Sequence, residues 1–380
     1  MQVKFNAIVA ATAMLLAGSA YAQDLVVKIG HVGPTSGPSA HLGKDNENGA
    51  RMAIDELNAK GVTIGGKKAK FELLAEDDGA DPKQGTAAAQ KLVDSKVNGV
   101  VGHLNSGTTI PASKIYMEAG IPQISPSSTN PKYTRQGYKT AFRVVADDVH
   151  LGGTLGRYAV NTLKAKSIAV IDDRTAYGQG LADEFVKGVK GAGGNVVGRE
   201  FTNDKATDFT AILTAIKAKK PDVIFYGGMD SVGGPMLRQM KQLGLGGVKF
   251  MGGDGLCTNE VPKLAQDGLS DDQVVCAEAG GVEGAYKQKM VDFGAAYEKK
   301  FGTNVKLYAP YVYDAVNVMV QAMVKAGSAD PAKYLPELAK IDYDGVTGHI
   351  VFDNKGDLKN GALTIYTFKG GQRSQIAVVR

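Results

Sequence analysis

Short apolar runs alternate with longer amphipathic runs along most of the chain. The short runs predict β-strands at 25–30, 71–74, 99–101, 121–124, 167–171, 195–199, 222–226 and 249–251. The longer runs repeat apolar residues at helical spacing and predict helices at 48–60, 82–95, 180–192, 209–218 and 233–243. Such alternation is typical of parallel sheets covered by helices on both faces. We therefore predict an α/β fold, and because the strands are too many for one core, we predict two sheets in two lobes.

The pattern becomes mainly helical after residue 276. Helices are predicted at 286–301 and 309–326, where methionine and aromatic side chains recur at helical spacing and indicate core-facing surfaces. Two further strands, 349–352 and 363–368, flank a turn at 353–356, an arrangement typical of a β-hairpin.

The N-terminus has the pattern of an export signal. Lys4 precedes a mostly apolar run over 5–18, and Ala20-Tyr21-Ala22 matches the small-residue pattern of a cleavage site. We predict a signal peptide over 1–22, cleavage after Ala22 and a periplasmic location. The alternative is a membrane anchor, which would need a longer apolar run of roughly 20 residues.

Charge and motifs argue against several classes of function. The net charge is +5, and the basic residues are scattered rather than concentrated as in nucleic-acid binders. The sequence contains no G-x-x-x-x-G-K-[ST] phosphate loop, no G-x-S-x-G elbow and no H-E-x-x-H pair. The histidines are spread with no metal-ligand spacing. We predict no enzymatic activity, no cofactor, no metal and no nucleic-acid partner.

The chain has two cysteines, Cys257 and Cys276. In an oxidising compartment an isolated pair typically forms a disulfide. A metal site is not expected, because two cysteines without a nearby histidine cannot fill four coordination positions. We predict a structural disulfide, and two free buried thiols are the alternative.

Hydroxyl-rich segments follow two strands of the first predicted lobe. Ligands of open α/β sheets bind outside the carboxyl ends of the strands. The segments 102–109 and 125–131 follow such ends and are rich in serine and threonine. Hydroxyl and backbone N–H donors at a helix N-terminus suit an anion, although ordinary capping and turn formation are the alternative.

The corresponding segments of the second predicted lobe offer different groups. They supply an aromatic side chain at Tyr177, an apolar one at Met229 and a carboxylate at Asp254. Donors on one lobe and an acid on the other suit a zwitterion held between them, because a buried charge needs a partner. Turn formation is again the alternative.

At these segments the sequence resembles the branched-chain amino acid binding proteins, the leucine/isoleucine/valine receptors of the type I periplasmic binding fold. The resemblance spans nearly all of the chain after residue 22. It rests on ordered blocks, namely Gly33-Pro34-Thr35-Ser36-Gly37-Pro38, Asp77-Asp78 with Asp81-Pro82-Lys83-Gln84, Gly102-His103-Leu104, Pro111-Ala112-Ser113, Phe142-Arg143 with Asp148, Tyr177-Gly178-Gln179-Gly180, Tyr226-Gly227-Gly228, Phe250-Met251-Gly252 and Lys355-Gly356-Asp357-Leu358-Lys359.

The resemblance implies two Rossmann-like lobes, each a parallel sheet flanked by helices, joined by a hinge of three crossovers. The N-terminal lobe would comprise 23–144 and 278–355, and the C-terminal lobe 145–277 and 356–380. The resemblance also implies a monomer whose partner is the inner-membrane permease of an ATP-binding-cassette (ABC) importer.

The resemblance assigns roles to five residues. Ser106 would hydrogen-bond to the ligand carboxylate. Ser127 would contribute its backbone carbonyl, and Thr129 its backbone N–H and hydroxyl. Tyr177 would close over the ligand from the second lobe, and Asp254 would pair with the α-ammonium, where the family archetype has the longer Glu.

Two pocket positions depart from the archetype, which has tyrosines where Leu42 and Met229 stand. Both changes remove a hydroxyl and leave an apolar, adaptable wall, so they bear on the side chain of the ligand. The archetype's first-lobe disulfide would need cysteines at Ala80 and Asn105, and it is absent from this sequence.

Together the residues and the resemblance predict a periplasmic receptor that binds an aliphatic, branched-chain L-amino acid between its lobes and delivers it to a permease. Two alternatives keep the fold: a receptor for another small solute, such as an amide, urea or an aromatic acid, and a sensory protein that presents its ligand. A periplasmic enzyme is a third alternative, but the sequence lacks any nucleophile–base motif.

Overall fold

The computed structural model describes residues 24–379, so the predicted signal peptide over 1–22 lies outside the described residues. The strands are β1 (Leu25–Gly33), β2 (Thr63–Ile64), β3 (Lys67–Asp77), β4 (Gly99–Gly102), β5 (Gln123–Ser125), β6 (Ala141–Arg143), β7 (Ile168–Asp172), β8 (Val196–Phe201), β9 (Val223–Gly227), β10 (Lys249–Gly252), β11 (Val274–Glu278), β12 (Asp342–Asp344), β13 (His349–Val351), β14 (Leu363–Lys369) and β15 (Gln372–Val379).

The helices are α1 (Ala40–Lys60), α2 (Pro82–Asp94), α3 (Ser106–Glu118), α4 (Lys132–Arg135), α5 (Asp148–Asn161), α6 (Ala176–Gly191), α7 (Thr210–Lys217), α8 (Asp230–Gln242), α9 (Val261–Ala265), α10 (Ala285–Phe301), α11 (Ala309–Ala326) and α12 (Pro331–Leu338). Short 3₁₀ turns occupy Asp254–Leu256 and Gln266–Gly268. Within residues 24–379, no helix is both long enough and apolar enough to cross a membrane.

Most strands lie in two large sheets. The first has the order β2-β3-β1-β4-β5-β6 and is parallel except for the β2–β3 pair. The second has the order β15-β14-β11-β10-β9-β7-β8, with β14 and β15 joined antiparallel at one edge of a parallel set. The predicted α/β fold with two sheets is confirmed, except that both sheets are mixed, with antiparallel strands at an edge. We call each sheet with its covering helices a lobe; α11 packs on α1, β4 and β5 and so belongs to the first lobe.

Both sheets are covered on both faces. Neighbouring residues of a strand point to opposite faces, and here they enter different hydrophobic clusters. In β4, Val100 and Val101 are both fully buried but belong to separate clusters, and in β9 the same holds for Ile224 and Phe225. This burial on both sides explains why the strands appear in the sequence as continuous apolar runs.

The chain passes between the lobes three times, after β6, after β11 and before β14. The third passage corrects the predicted hairpin over 349–368: β13 pairs with β12, whereas β14 pairs with β11 and β15. The turn is present, since Phe352 bridges to Leu358, but the segment after it continues into the other lobe. The residue boundaries of the two lobes stay a prediction.

The second passage is packed too tightly for side chains. A Cβ atom at Gly280 would overlap the hydroxyl of Tyr311, and one at Gly281 would overlap Ala362 of the third passage. The Tyr311 hydroxyl donates to Glu278 Oε1 at 2.7 Å, at the end of β11. Glycine is therefore required here by close approach.

Helices α1, α6 and α8 begin earlier than the apolar pattern predicts, and α6 begins at Ala176 rather than 180. Helix α1 begins at Ala40 rather than 48, because its first turns bury the polar residues Asp45 and Asn46. Helix α8 begins at Asp230 rather than 233, and it includes Gly233 and Gly234 because Leu256 and Leu264 leave no room for a side chain there.

The predicted disulfide between Cys257 and Cys276 is confirmed. Both residues are fully buried. Cys276 lies on β11, and Cys257 follows the 3₁₀ turn that begins at Asp254, whose carbonyl accepts from the Cys257 N–H at 2.8 Å. The bond therefore ties the loop after β10 to the neighbouring strand.

Candidate ligand-binding site

The carboxyl ends of β4 and β5 bring Ser106 and the 125–131 loop together. Ser106 is the first residue of α3 and is 1% exposed. Its hydroxyl oxygen accepts from the Ser128 hydroxyl at 3.2 Å and from the Asn130 N–H at 3.3 Å. The side chain of Arg143 holds this loop by donating to the carbonyls of Ser128 and Asn130. Hydrogen bonds within the protein therefore fix the two serine-rich loops against each other.

Ser127 and Thr129 lie in the same loop and are buried. The Ser127 hydroxyl donates to the Leu104 carbonyl at 2.9 Å, so this side chain has a structural role. The Thr129 carbonyl accepts from the N–H of Asp148, the first residue of α5, at 2.8 Å. Burial raises the pKa of the Asp148 carboxyl well above its ordinary value, and the Thr129 hydroxyl only partly opposes this increase.

The second lobe contributes Tyr177 from the first turn of α6. Thr175 caps this helix, since its hydroxyl accepts from the Gly178 N–H at 2.9 Å. The Tyr177 hydroxyl donates to Asp254 Oδ1 at 2.8 Å and accepts from the Gly255 N–H at 2.9 Å. Tyr177 therefore lies in a helix rather than in the loop that the sequence suggested, and it holds Asp254 in place.

Asp254 is 1% exposed and has a second tyrosine partner. The hydroxyl of Tyr308 donates to Asp254 Oδ2 at 2.9 Å. Burial raises the pKa of Asp254 to about 6, and the hydroxyls of Tyr177 and Tyr308 act against this increase. The same burial raises the pKa of both tyrosines well above their ordinary value, so both hydroxyls carry their protons and donate.

Tyr308 was not predicted as a site residue. It immediately precedes α11 in the first lobe, and its hydrogen bond to Asp254 crosses between the lobes. Its position is fixed by Asp45 of α1, whose carboxylate accepts from the Tyr308 N–H at 2.8 Å. Tyr308 lies between α10 and α11 and so follows no strand, whereas ligands of open α/β sheets are expected at strand ends.

A small cavity of about 10 Å³ marks the place where these groups meet. Its lining consists of Leu104, Asn105, Ser106, Ser127, Tyr177, Met229 and Tyr308. A cavity of about 280 Å³ shares Asn105, Tyr177 and Met229 with it and continues between the lobes toward the surface. The two cavities together form the candidate cleft. Three larger cavities, of about 630, 480 and 410 Å³, share no lining residue with these two.

The remaining predicted residues surround this cleft at different depths. Met229, the residue before α8, lines both cavities and is 8% exposed. Leu42 is fully buried on α1 in the hydrophobic cluster that also contains Tyr177 and Met229, but it lines neither cavity. Thr129 and Asp254 lie behind the lining, the latter covered by its two tyrosines.

The chemistry of the cleft is that of a polar recognition site. Serine side chains lie on the first-lobe side, a buried carboxyl lies on the second-lobe side, and apolar side chains complete the lining. Among residues 24–379, no group of histidine, cysteine and acidic side chains is arranged to hold a metal ion. The arrangement can compensate both charges of a small zwitterion.

Comparisons with known proteins agree with this geometry. Residues 26–372 match the family model described as periplasmic binding protein. The chain is 37% identical to the Leu/Ile/Val-binding protein homolog 1 of Brucella abortus, over 97% of this chain and 96% of that protein. It is 35% identical to the leucine-, isoleucine-, valine-, threonine- and alanine-binding protein of Pseudomonas aeruginosa, over 96% of each.

A solved structure is similar throughout. The branched-chain amino acid transporter substrate binding protein LivJ of Streptococcus pneumoniae, in complex with isoleucine, superimposes with a TM-score of 0.82. The two share 28% identity, with 93% of this chain and 99% of that chain covered. The chain described here belongs to the periplasmic binding protein family.

Proposed function

We propose that this chain is the solute receptor of an ABC importer, exported to the periplasm with its signal peptide removed after Ala22. It closes two lobes around an aliphatic, branched-chain L-amino acid and delivers it, as a monomer, to an inner-membrane permease. The lobes are 23–144 with 278–355, and 145–277 with 356–380. Family membership and relatives whose names state that they bind leucine, isoleucine and valine support this proposal.

The observation that carries the proposal is the environment of Asp254. Its two carboxyl oxygens each accept a hydrogen bond from a tyrosine hydroxyl, one from each lobe. A buried carboxylate needs donors or a cation, and an α-ammonium offers three N–H donors and a positive charge. The amino group of the solute exchanges for the tyrosine hydroxyls and compensates the charge of Asp254.

The first lobe binds the other end of the solute. The Ser106 hydroxyl and the N–H and hydroxyl of Thr129 donate to the α-carboxylate, while the Ser127 carbonyl accepts from the α-ammonium. Ser106 and Ser127 line the small cavity together, which supports this arrangement. Hydrogen bonds to a charged group are stronger than those between neutral groups, so this end fixes the orientation of the solute.

The solute side chain contacts apolar groups. Met229 and Leu104 line the small cavity, and Leu42 packs in the cluster behind them. Methionine is flexible enough to adapt to different aliphatic shapes. This wall accommodates a branched aliphatic side chain and offers no partner for a second charge.

Closure follows from contacts on both sides. A ligand shifts a conformational equilibrium only by its difference in affinity for the two states. The amino acid contacts Ser106 and Thr129 on one lobe and Asp254 on the other, so it favours the closed form, in which both sets are present.

The test is calorimetric titration of leucine into protein that has been unfolded and refolded to remove copurified ligand. Asp254→Ala should weaken binding by about 3 kcal/mol or more, because the ammonium loses its buried partner. Asp314→Ala is the matched control. Asp314 is equally buried and its pKa is likewise raised by burial to about 6, but it bonds to Val346 and Thr347 of the first lobe. Unchanged leucine affinity in Asp254→Ala contradicts the assignment.

A thermal-shift screen tests the class of solute. Stabilisation by acetamide, urea or an aromatic acid, with none by aliphatic amino acids, would replace the proposed ligand. The proposal includes no reaction on the solute. Mass spectrometry of leucine recovered after incubation with the protein should show it unchanged, and turnover would instead point to an enzyme.

A further inference from the structure

Four charged or ionisable side chains bridge the lobes at one edge of the cleft. His41 and Lys306 come from the first lobe, and Asp230 and Glu260 come from the second. None of the four lines either cavity of the cleft. None of them is among the residues proposed to contact the solute.

The carboxylate of Asp45 connects the two segments that carry His41 and Lys306. Asp45 lies one turn after His41 on α1. Its oxygens accept from the backbone N–H of Lys306 at 2.9 Å and from the three N–H groups that follow, at 3.1, 2.8 and 2.9 Å. Two groups that can carry positive charge are thereby fixed beside each other.

The hydroxyl of Thr258 connects the two segments that carry Asp230 and Glu260. Thr258 donates to Asp230 Oδ2, and the same hydroxyl oxygen accepts from the Glu260 N–H at 3.2 Å. Asp230 is fully buried as the first residue of α8. Two carboxyl groups are thereby fixed opposite the basic pair.

The two pairs meet across the cleft. His41 Nε2 lies 2.9 Å from Asp230 Oδ2, and Lys306 Nζ lies 2.7 Å from Glu260 Oε1. The side chains of His41 and Lys306 are each 21% exposed, and those of Asp230 and Glu260 are 0% and 17% exposed. Partial burial reduces screening by salt, so such pairs interact more strongly than fully exposed ones.

The pKa values of two members reflect this pairing. Burial alone would lower the pKa of His41, but the hydrogen bond and charge of Asp230 and the charge of Glu260 raise it overall, against the opposing charge of Lys306. Burial would raise the pKa of Glu260, but Lys306 lowers it overall. The closed arrangement favours the charged form of both.

We propose that His41, Lys306, Asp230 and Glu260 form an interlobe clasp that sets the affinity of the receptor without touching the solute. This inference rests on the proposed function, because it assumes that the lobes close upon binding. Contacts made only in the closed form stabilise that form and slow release of the solute.

The clasp is adjacent to the candidate site along the chain. His41 precedes Leu42, and Asp230 follows Met229. Lys306 lies two residues before Tyr308, and Glu260 follows the loop that carries Asp254. A displacement of either half therefore also displaces a residue of the site, so the clasp and the solute contacts form together.

Charge exchange tests the clasp. Lys306→Glu and Glu260→Lys should each weaken leucine binding by about fivefold or more, because each places like charges opposite one another. The double variant Lys306→Glu/Glu260→Lys should bind leucine nearly as tightly as the wild type. The single variants should differ from the wild type mainly in the rate at which leucine dissociates. Lys114→Glu is the control: Lys114 pairs with Glu118 of its own helix, so this variant should leave affinity unchanged. Failure of the double variant to recover affinity overturns the proposal.

A second measurement does not depend on the solute. Small-angle scattering of the ligand-free protein should give a larger radius of gyration for each single variant than for the wild type and the double variant. If the wild type binds no amino acid, the proposed function fails while this comparison still tests the clasp. Equal radii for all four proteins, together with equal affinities, would exclude a clasp.

Discussion

Asp254 is the proposed partner of the solute's ammonium group, and its environment sets its protonation. Its carboxyl is buried between the lobes and hydrogen-bonded by Tyr177 and Tyr308. Because burial raises its pKa to about 6, the carboxyl takes up a proton in mildly acidic solution. A protonated acid cannot compensate an ammonium, so the proposed recognition requires the charged form of Asp254.

This dependence gives a prediction for acid pH. For a site that must be ionised, affinity falls as pH drops through the pKa, and a pKa of about 6 predicts leucine binding about tenfold weaker at pH 5 than at pH 7. Calorimetry in buffers of different ionisation enthalpy would measure both the affinity and the proton released on binding.

His41→Gln is the control for this prediction. It removes an ionisable group at the cleft edge whose pKa is raised overall, since the hydrogen bond and charge of Asp230 outweigh the effect of burial. The acid dependence should persist in this variant. Affinity that does not change between pH 5 and pH 7 would show that Asp254 is not the ammonium partner.

The sequence pointed to most of the polar groups of the candidate cleft but not to their partners. Ser106, Ser127 and Tyr177 follow strands, where a search for strand ends finds them. Tyr308 does not follow a strand, and it reaches the cleft because α1 and α11 pack together. That packing is a long-range contact, so no local pattern encodes it.

At the scale of elements, local signals were reliable where one face of a helix is apolar. The predicted bounds of 309–326 match α11, which buries a continuous apolar face. The start of α1 was missed because buried Asp45 and Asn46 interrupt the apolar spacing. In the sequence, a buried polar residue with long-range partners cannot be told from a surface residue. A helix that begins with such residues is therefore predicted to begin too late.

The disulfide is the element-scale feature with a measurable energy. It closes a loop with a sequence separation of 19, and in the chain-entropy model such a bond stabilises by about 3 kcal/mol. Cys257→Ala/Cys276→Ala should lower the free energy of unfolding by about this amount in urea titrations. Since the disulfide ties the loop that carries Asp254 to β11, leucine affinity should fall as well. An unchanged urea midpoint would mean that packing alone holds the loop.

At the scale of the whole molecule, alternation of strands and helices was enough to predict two covered sheets. It was not enough to predict which strands share a sheet. The segment at 353–356 is a local turn, yet β13 and β14 on either side of it lie in different sheets. Membership of a sheet depends on partners distant in sequence, here β11 for β14.

Binding of the solute should slow hydrogen exchange in both lobes. A ligand present at 100 times its Kd stabilises the folded state by about 2.7 kcal/mol. A solute that contacts both lobes stabilises segments in each of them. Hydrogen exchange measured by mass spectrometry should therefore slow at 102–109 and at 252–255 when leucine is added. Slower exchange in only one of these segments would contradict binding between the lobes.

The close packing of Gly280 has an evolutionary consequence. The Tyr311 hydroxyl occupies the space that a side chain at position 280 would need. Any homologue with a larger residue at 280 must therefore carry a smaller one at 311, and its Glu278 must find another donor in place of that hydroxyl. Positions 280 and 311 should covary, with position 278 following them, even though 311 is more than thirty residues away along the chain.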